Sequence, residues 1–320
     1  MAQLDELRLT VRVARMYYDW NMKQSEIAKR LGLSQPTISR LLQQARENGI
    51  IRISVTVPQG VYTELEEELL RRYRLRDAIV VDCSNDKDDR LIEREIGSAA
   101  AYYVESSLRP NEIIGISSWS ATLLALVDAM HSVVRKGDVR VVQILGGVGD
   151  PSAKVHANRL TGRFADLLGG TPVYLPAPGV LDSAAAREVL LADAYIRDVI
   201  GLFDQVTTAL VGIGAIEPSK LLAASGNIFP AHELELLRSK GAVGDVLLRF
   251  FDAAGKPVDT PLNERVVSMR LDQLARVDRS IGVAGGARKY AAVLGALRGG
   301  WINVLITDQF TARRLLDEPS

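Results

Sequence analysis

The sequence predicts an α/β protein: a doubly wound parallel sheet in the longer C-terminal part, preceded by a small helical head. Three observations predict it. From about Ala78 onward, short apolar runs alternate with helical patterns, with glycine or serine between them, and strands alternating with helices build parallel sheets. Residues 24–49, "QSEIAKRLGLSQPTISRLLQQARENG", read differently, as two short helices around a tight turn. The length of 320 residues also exceeds the roughly 250–300 that one core supports. Two domains are expected, residues 1–57 and 58–320, with 58–76 as the connector.

Composition narrows the class. Hydrophobic residues make up 47% and charged residues 24%, ordinary for a chain that buries a large core. The 39 basic and 39 acidic residues cancel, so global charge names no partner. Their distribution does. Residues 1–57 carry nine Lys and Arg against five Asp and Glu, so the head is basic by four and the rest acidic by four. A basic head fits an anionic polymer bound at that end. Cys83 is the only cysteine, which excludes an intrachain disulfide and points to a buried, inert thiol in a reducing compartment. The start "MAQLDELRLTVRVARMYY" lacks the apolar run of a signal peptide, and no segment is long enough to span a bilayer. A cytoplasmic protein without a membrane partner is expected. His131, His156 and His232 show no ligand spacing, so no metal and no cofactor are expected.

In the head, Leu4 to Asp19 places Leu7, Val11, Ala14 and Tyr18, with Leu4 and Val13 beside them, at helical spacing. "MKQSEIAKRL" gives a second helix with Ile27, Ala28 and Leu31 inward. Gly32 suits the left-handed turn that ends it. Ser34 can cap the next helix, and Pro36 sits where a missing N–H costs nothing. Ile38, Leu41, Leu42 and Ala45 form the buried stripe of that helix, while Gln35, Thr37, Ser39, Arg40, Gln43 and Gln44 form its other face. Gln pairs with adenine, Arg with guanine, and Ser or Thr with phosphate or base edges, as a major-groove reader requires. The unit is therefore expected to be a DNA-binding helix-turn-helix, with Ser34, Gln35, Thr37, Ser39, Arg40 and Gln43 at double-stranded operator DNA. "GIIRISVTV" alternates like a short strand or wing, from which Arg52 reaches a phosphate.

Pro58 and Gly60 mark the boundary. "VYTELEEELLRRYRL" reads as a helix with Leu65, Leu69 and Leu70 on one side, serving as connector, dimer contact or a helix packed on its own domain.

The body then runs through "AIVVDC", "EIIGIS" with the helix "ATLLALVDAMHSVV", "VRVVQIL" with "HANRLTGRFADLL", "PVYLPAP", "VTTALVGIG", "DRSIGVAGG" with "ARKYAAVLGALRGG", and "WINVLITD" with "QFTARRLLD". Ligands of such sheets bind outside the carboxyl ends of the strands. Two turns there carry chemistry. Ser117, Ser118, Trp119 and Ser120, with Thr122, put hydroxyls and free N–H groups at a helix start, as an anion site or as plain capping. "AGGARKYAAVLGAL" places Arg288 and Lys289 in a first helical turn, where cations are disfavoured by about 0.3–1 kcal/mol. An anionic ligand or solvent exposure resolves that conflict. Gly146, Gly147, Val148, Gly212 and Gly214 line the pocket. Asp245, beside a hairpin turned at "DAAGK", accepts from sugar hydroxyls or bonds its own turn.

Together these residues resemble the SorC family of bacterial sugar-catabolism regulators over nearly the whole chain. The carriers are "YYDWNMKQSEIAKRLGLSQPTISRLLQQARENGIIRI", "GISSWSATLLAL", "VVQILGG", "LVGIGAIEPSKLL", "GAVGDVLLRFFDAAGK" and "AGGARKYAAVLGAL", in that family's order. The resemblance implies a sugar-isomerase-like effector-binding domain used for sensing, a phosphorylated sugar or polyol as effector, and a homo-oligomer, dimer or tetramer, on the operator. Carried over, Ser117 to Thr122 form the phosphate loop with Lys289 as its cation, and Gly146, Gly147, Gly214 and Asp245 surround the sugar. Two departures stand out. Ser120 replaces the glycine of the family's Ser-Trp-Gly turn, and Leu145 stands where a Schiff-base lysine would be needed. The expected function is allosteric transcriptional regulation. The alternatives are a sugar-phosphate isomerase or deaminase with a DNA-binding head, with Asp245 as its base, and a scaffold whose pocket Ser120 has closed.

Overall fold

The structure, a computed structural model, describes residues 2–51, 58, 60–118, 120–133, 137–147, 151–216 and 229–319, without the side chains of 2–5 and 151–157. Arg52, Trp119 and Val148 lie outside the described residues, as do most of the expected wing and the segment after Ile216. By contacts the chain divides into two compact units, Met1–Pro58 and Gln59–Ser320.

The first unit holds α1 (Ala2–Tyr18), α2 (Gln24–Leu31) and α3 (Gln35–Glu47). Gly32 ends α2 at φ 65, and its N–H bonds Ala28 O. Only a residue without Cβ takes that left-handed geometry at little cost. Ser34 caps α3 by accepting from Thr37 N at 3.3 Å. The core consists of Val13, Met16, Ile27, Ala28, Ile38, Leu41 and Leu42. The α1 stripe differs from its expected register. Leu7 and Val11 are 47% and 37% exposed, while Thr10, Val13, Ala14 and Met16 turn inward. Apolar residues surround most of this helix, so spacing does not select a face; packing on α3 does.

The second unit opens with α4 (Thr63–Tyr73), β1 (Asp77–Val81), α5 (Asp89–Ser107), β2 (Ile113–Ile116), α6 (Ala121–Ala129), β3 (Arg140–Gln143), α7 (Pro151–Leu168) and β4 (Thr171–Val173). It continues with α8 (Ala184–Leu191), α9 (Ala194–Gly201), β5 (Thr208–Gly212), β6 (Gly214–Ala215), α10 (Ala231–Ser239), β7 (Ala242–Val246) and β8 (Arg249–Asp252). α11 (Leu271–Leu274), β9 (Arg279–Val283), α12 (Tyr290–Arg298), β10 (Val304–Asp308) and α13 (Gln309–Asp317) complete it. Seven strands form one parallel sheet in the order β1-β10-β9-β5-β2-β3-β4. β6, β7 and β8 form a separate antiparallel sheet.

Successive residues of the central strands face opposite cores. On β5, Ala209 and Val211 enter one core and Leu210 the other; on β10, Leu305 faces the first core and Val304 and Ile306 the second. Both faces are therefore covered, which is why these strands read as continuous apolar runs. Each fully buried Leu, Ile or Val contributes about 1.5–3 kcal/mol.

Two boundaries correct the sequence reading, and of the roles left open for the helix after Gly60 the structure shows one, packing on its own domain. α4 packs on the body, with Leu69 fully buried, Tyr73 Oη donating to Leu315 O at 2.7 Å and Val80 N donating to Glu66 Oε1 at 2.9 Å. α6 stops at Ala129, because Met130 adopts extended backbone. "DAAGK" does close a turn, with Asp252 N on Lys256 O at 2.9 Å. The β7–β8 hairpin, however, reverses at Leu247 and Leu248, both at positive φ (58 and 59). No glycine or asparagine announces that turn.

Candidate functional site

Between β2 and β5 the winding of the sheet reverses: β2, β3 and β4 run to one edge, β5, β9, β10 and β1 to the other. In sheets of this kind the loops leaving the carboxyl ends diverge at such a point, which is where a ligand crevice is expected. The sequence-predicted residues meet around it in two layers.

The lower layer is framework. Ser117 N donates to Leu210 O at 3.0 Å, extending the ladder between β2 and β5. Ser118 Oγ donates to Leu145 O at 3.1 Å, tying the ends of β2 and β3. Gly146 N and Gly147 N donate to Val267 O (3.0 Å) and Ala177 O (2.8 Å), and a Cβ on Gly146 would lie 2.6 Å from Pro178 O. Gly146 lets backbones pack, and the amides of both glycines are spent on protein carbonyls.

The upper layer is chemical. Ser120 caps α6, accepting from Leu123 N at 3.3 Å. The amides of Ala121 and Thr122, first in that helix, have no acceptor within the helix. A Cβ at Gly212 would stand 2.5 Å from Ser120 Oγ, so the glycine at 212 makes room for the serine at 120. Gly214 pairs with Asp245 across β6 and β7, and a Cβ at 214 would collide with the Asp245 carboxylate. That carboxylate accepts from Leu248 N at 2.9 Å. Burial pushes its pKa up to about 6, against the opposing pull of that N–H and of Lys289.

Lys289 belongs to a 3-10 turn, Ala287–Lys289, leading into α12. It is 7% exposed, and burial holds its pKa below the usual lysine range. Its Nζ lies 3.5 Å from Thr122 Oγ1 and 3.6 Å from Glu93 Oε1. One turn earlier on α5, Asp89 Oδ2 lies 3.5 Å from Arg288 Nε. Two acids one helical turn apart thus face two consecutive cations. Sequence reasoning missed both acids. Their i, i+4 spacing in "DRLIE" was the only available signal, and it names a face without naming its partner. The tension of cations at a helix start is therefore relieved at least partly from within the protein. Gly286, at φ 88, bends the loop there, and its N–H is held by Asp308 Oδ2 at 2.8 Å.

In the head, Ser34, Gln35, Ser39, Arg40 and Gln43 lie exposed on one side of α3 and Thr37 is half-buried there. Thr37 Oγ1 and Ser34 Oγ are 2.7 Å apart, and Gln43 Nε2 donates to Glu47 Oε1 at 2.9 Å. Among the described residues no cluster of three or more His, Cys, Asp or Glu could hold a metal ion. No helix among them is long and apolar enough to cross a membrane.

A helix-turn-helix with a polar outer face, joined to a doubly wound parallel sheet, is the make-up of a DNA-binding transcriptional regulator. Comparison with known proteins agrees. Residues 58–317 match the family described as "Putative sugar-binding domain", and residues 5–73 match a Crp-like helix-turn-helix domain. The deoxyribonucleoside regulator of Bacillus subtilis is 35% identical over 314 residues, 98% of this chain and 99% of that protein. The sorbitol operon regulator of Klebsiella pneumoniae is 33% identical over 322 residues, 99% of this chain and 100% of its own. The crystal structure of the full-length Klebsiella pneumoniae regulator superposes with a TM-score of 0.73 at 31% identity, covering 98% of this chain and 100% of that one. The chain belongs to the SorC family of DNA-binding transcriptional regulators of carbohydrate catabolism.

Proposed function

We propose that this regulator senses a phosphorylated sugar or polyol in the crevice and, as a cytoplasmic dimer or tetramer, transmits its presence to operator DNA bound by α3. The observation that carries the effector reading is the buried Lys289 ammonium beside Thr122 and the first amides of α6. An ammonium, a hydroxyl and helix-start N–H groups are the donors a phosphate dianion takes. Asp245 above Gly214 then accepts from the hydroxyls of the sugar. Relatives named for deoxyribonucleosides and for sorbitol fit a small polyhydroxylated effector. On the DNA side, Gln35, Ser39, Arg40 and Gln43 occupy the positions from which a recognition helix reads base edges.

A thermal-shift screen of the full chain against sugars, polyols and their phosphates tests the effector reading. A ligand at 100 times its Kd stabilises by about 2.7 kcal/mol. One phosphorylated compound should raise Tm while its dephosphorylated partner does not, and Lys289→Ala should remove that increment. Equal increments for both forms in the wild type would end the phosphate assignment.

A second reading, catalysis on the same effector, has one observation in its favour. A carboxyl held at about 6 over a ligand crevice suits a general base at neutral pH. Turnover of a stabilising sugar phosphate by the wild type, lost in Asp245→Asn, would establish it; binding without turnover leaves the sensor.

A further inference from the structure

Lys289 is nearly enclosed, and an enclosed ammonium requires a countercharge. That charge comes from Glu93, 3.6 Å away, whose own side chain is 20% exposed. The distance is loose for an ion pair, and the 3.5 Å contact to Thr122 Oγ1 is at the limit for a hydrogen bond. Lys289 therefore lies between two weak partners, one of which lies at the start of α6 and the other on α5. An anion bound at the start of α6 would lie beside this ammonium, whose other neighbour is the Glu93 carboxylate.

We propose that Glu93 is the specificity-determining residue of the crevice: an internal counter-ion that an incoming anion must outcompete for Lys289. This inference rests on reading the crevice as an anion site. Its consequence is selection by charge. A neutral hydroxyl offers Lys289 less than Glu93 already does. A single carboxylate exchanges one negative charge for another. A phosphate dianion brings about twice the charge and three acceptor oxygens, and prevails.

The position of Glu93 gives the exchange a mechanical outlet. α5 packs on α6 so closely that a Cβ on Gly97 would stand 2.7 Å from Ala125 Cβ. Asp89, one turn before Glu93, holds Arg288 of the same turn that carries Lys289. Releasing Glu93 loosens one of the ion pairs that tie α5 to that turn, while the anion draws α6 and Lys289 together.

Calorimetric titration of the full chain with inorganic phosphate, at constant ionic strength in chloride, tests the inference with three variants. Glu93→Gln removes the competing charge and keeps the shape, and should bind phosphate about tenfold more tightly than the wild type. Glu93→Asp keeps the charge but shortens its reach, and should tighten binding by a smaller factor in the same direction. It also serves as the measurement should the glutamine variant fold poorly. Lys289→Ala should abolish the phosphate heat in both the wild-type and Glu93→Gln backgrounds. If phosphate binds through Lys289 with equal affinity in the wild type and both Glu93 variants, the counter-ion role is overturned and the anion site survives. If phosphate binds neither the wild type nor Glu93→Gln, or binds regardless of Lys289, the anion site itself falls and takes the inference with it.

Discussion

Asp245 is held by a turn that opposes local preference. Leu247 and Leu248 both adopt left-handed backbone, at a cost of about 1–2 kcal/mol per residue. Both side chains are buried, at 2% and 6% exposure, and burial returns about 1.5–3 kcal/mol each. The core thus outweighs the strain and sets the carboxylate over Gly214. That setting has a pH signature. The folded carboxyl titrates at about 6 against an ordinary 3.8. Between those values the folded state keeps a proton that the unfolded state has released. Stability contributed by the protonated form is therefore full below about pH 4 and lost as pH rises through 6. At pH 7 the deficit is about 2–3 kcal/mol, at 1.36 kcal/mol per pKa unit. Asp245→Asn should raise Tm at pH 7 and much less at pH 4, since its amide oxygen still accepts from Leu248 N. An equal gain at both values would mean that the carboxyl titrates in its ordinary range.

At the scale of the element, α3 separates what holds a recognition helix from what it reads. Ser34 satisfies one helix-start N–H, and Ser34→Ala should destabilise the head by about 1 kcal/mol. Arg40 projects from the exposed face, so Arg40→Ala should leave head stability unchanged and weaken operator binding by about 1–3 kcal/mol. Circular dichroism melting and gel-shift titration of the same two variants check the separation; a stability loss in Arg40→Ala would place that side chain in the packing. Elements bounded by local signals were legible beforehand: Gly32, Ser34 and Pro36 delimit α3, and the apolar runs mark β2, β5, β9 and β10. The β7–β8 turn was not, because its geometry comes from burial of two leucines. Nor was the face of α1, where apolar residues on most sides leave the choice to tertiary contact. At the candidate site, the serine turn, Asp245 and Lys289 are proposed from the chain and the fold brings them to one end of the sheet, whereas Asp89 and Glu93 are joined to Arg288 and Lys289 only by folding.

Across the whole effector unit, the two ends of the sheet do different work. Its carboxyl end carries the candidate effector site. Its amino end is tied by a buried ion pair that no local pattern announced, since Glu112 and Arg279 are 167 residues apart. Arg279 Nη2 and Glu112 Oε1 meet at 2.5 Å, both side chains 5% exposed. Thr208 Oγ1, at the head of β5, accepts from Arg279 Nε at 3.1 Å and donates to Glu112 Oε1 at 2.8 Å. Arg279 Nη1 reaches Ser107 O at 3.0 Å, and Arg109 N donates to Glu112 Oε2 at 3.0 Å. One network therefore joins the starts of β2, β5 and β9, the three central strands whose other ends carry the crevice. Removing one partner strands a buried charge, so Arg279→Met should destabilise by about 3–5 kcal/mol. Glu112→Gln with Arg279→Met leaves no charge behind and should recover at least half of that loss. Because the pair lies at the opposite end of the strands, the Tm increment from a bound effector should be the same in the double variant as in the wild type. Chemical denaturation with and without effector separates the cases. A cost under about 1 kcal/mol for Arg279→Met would show that side-chain packing alone holds the three strands in register.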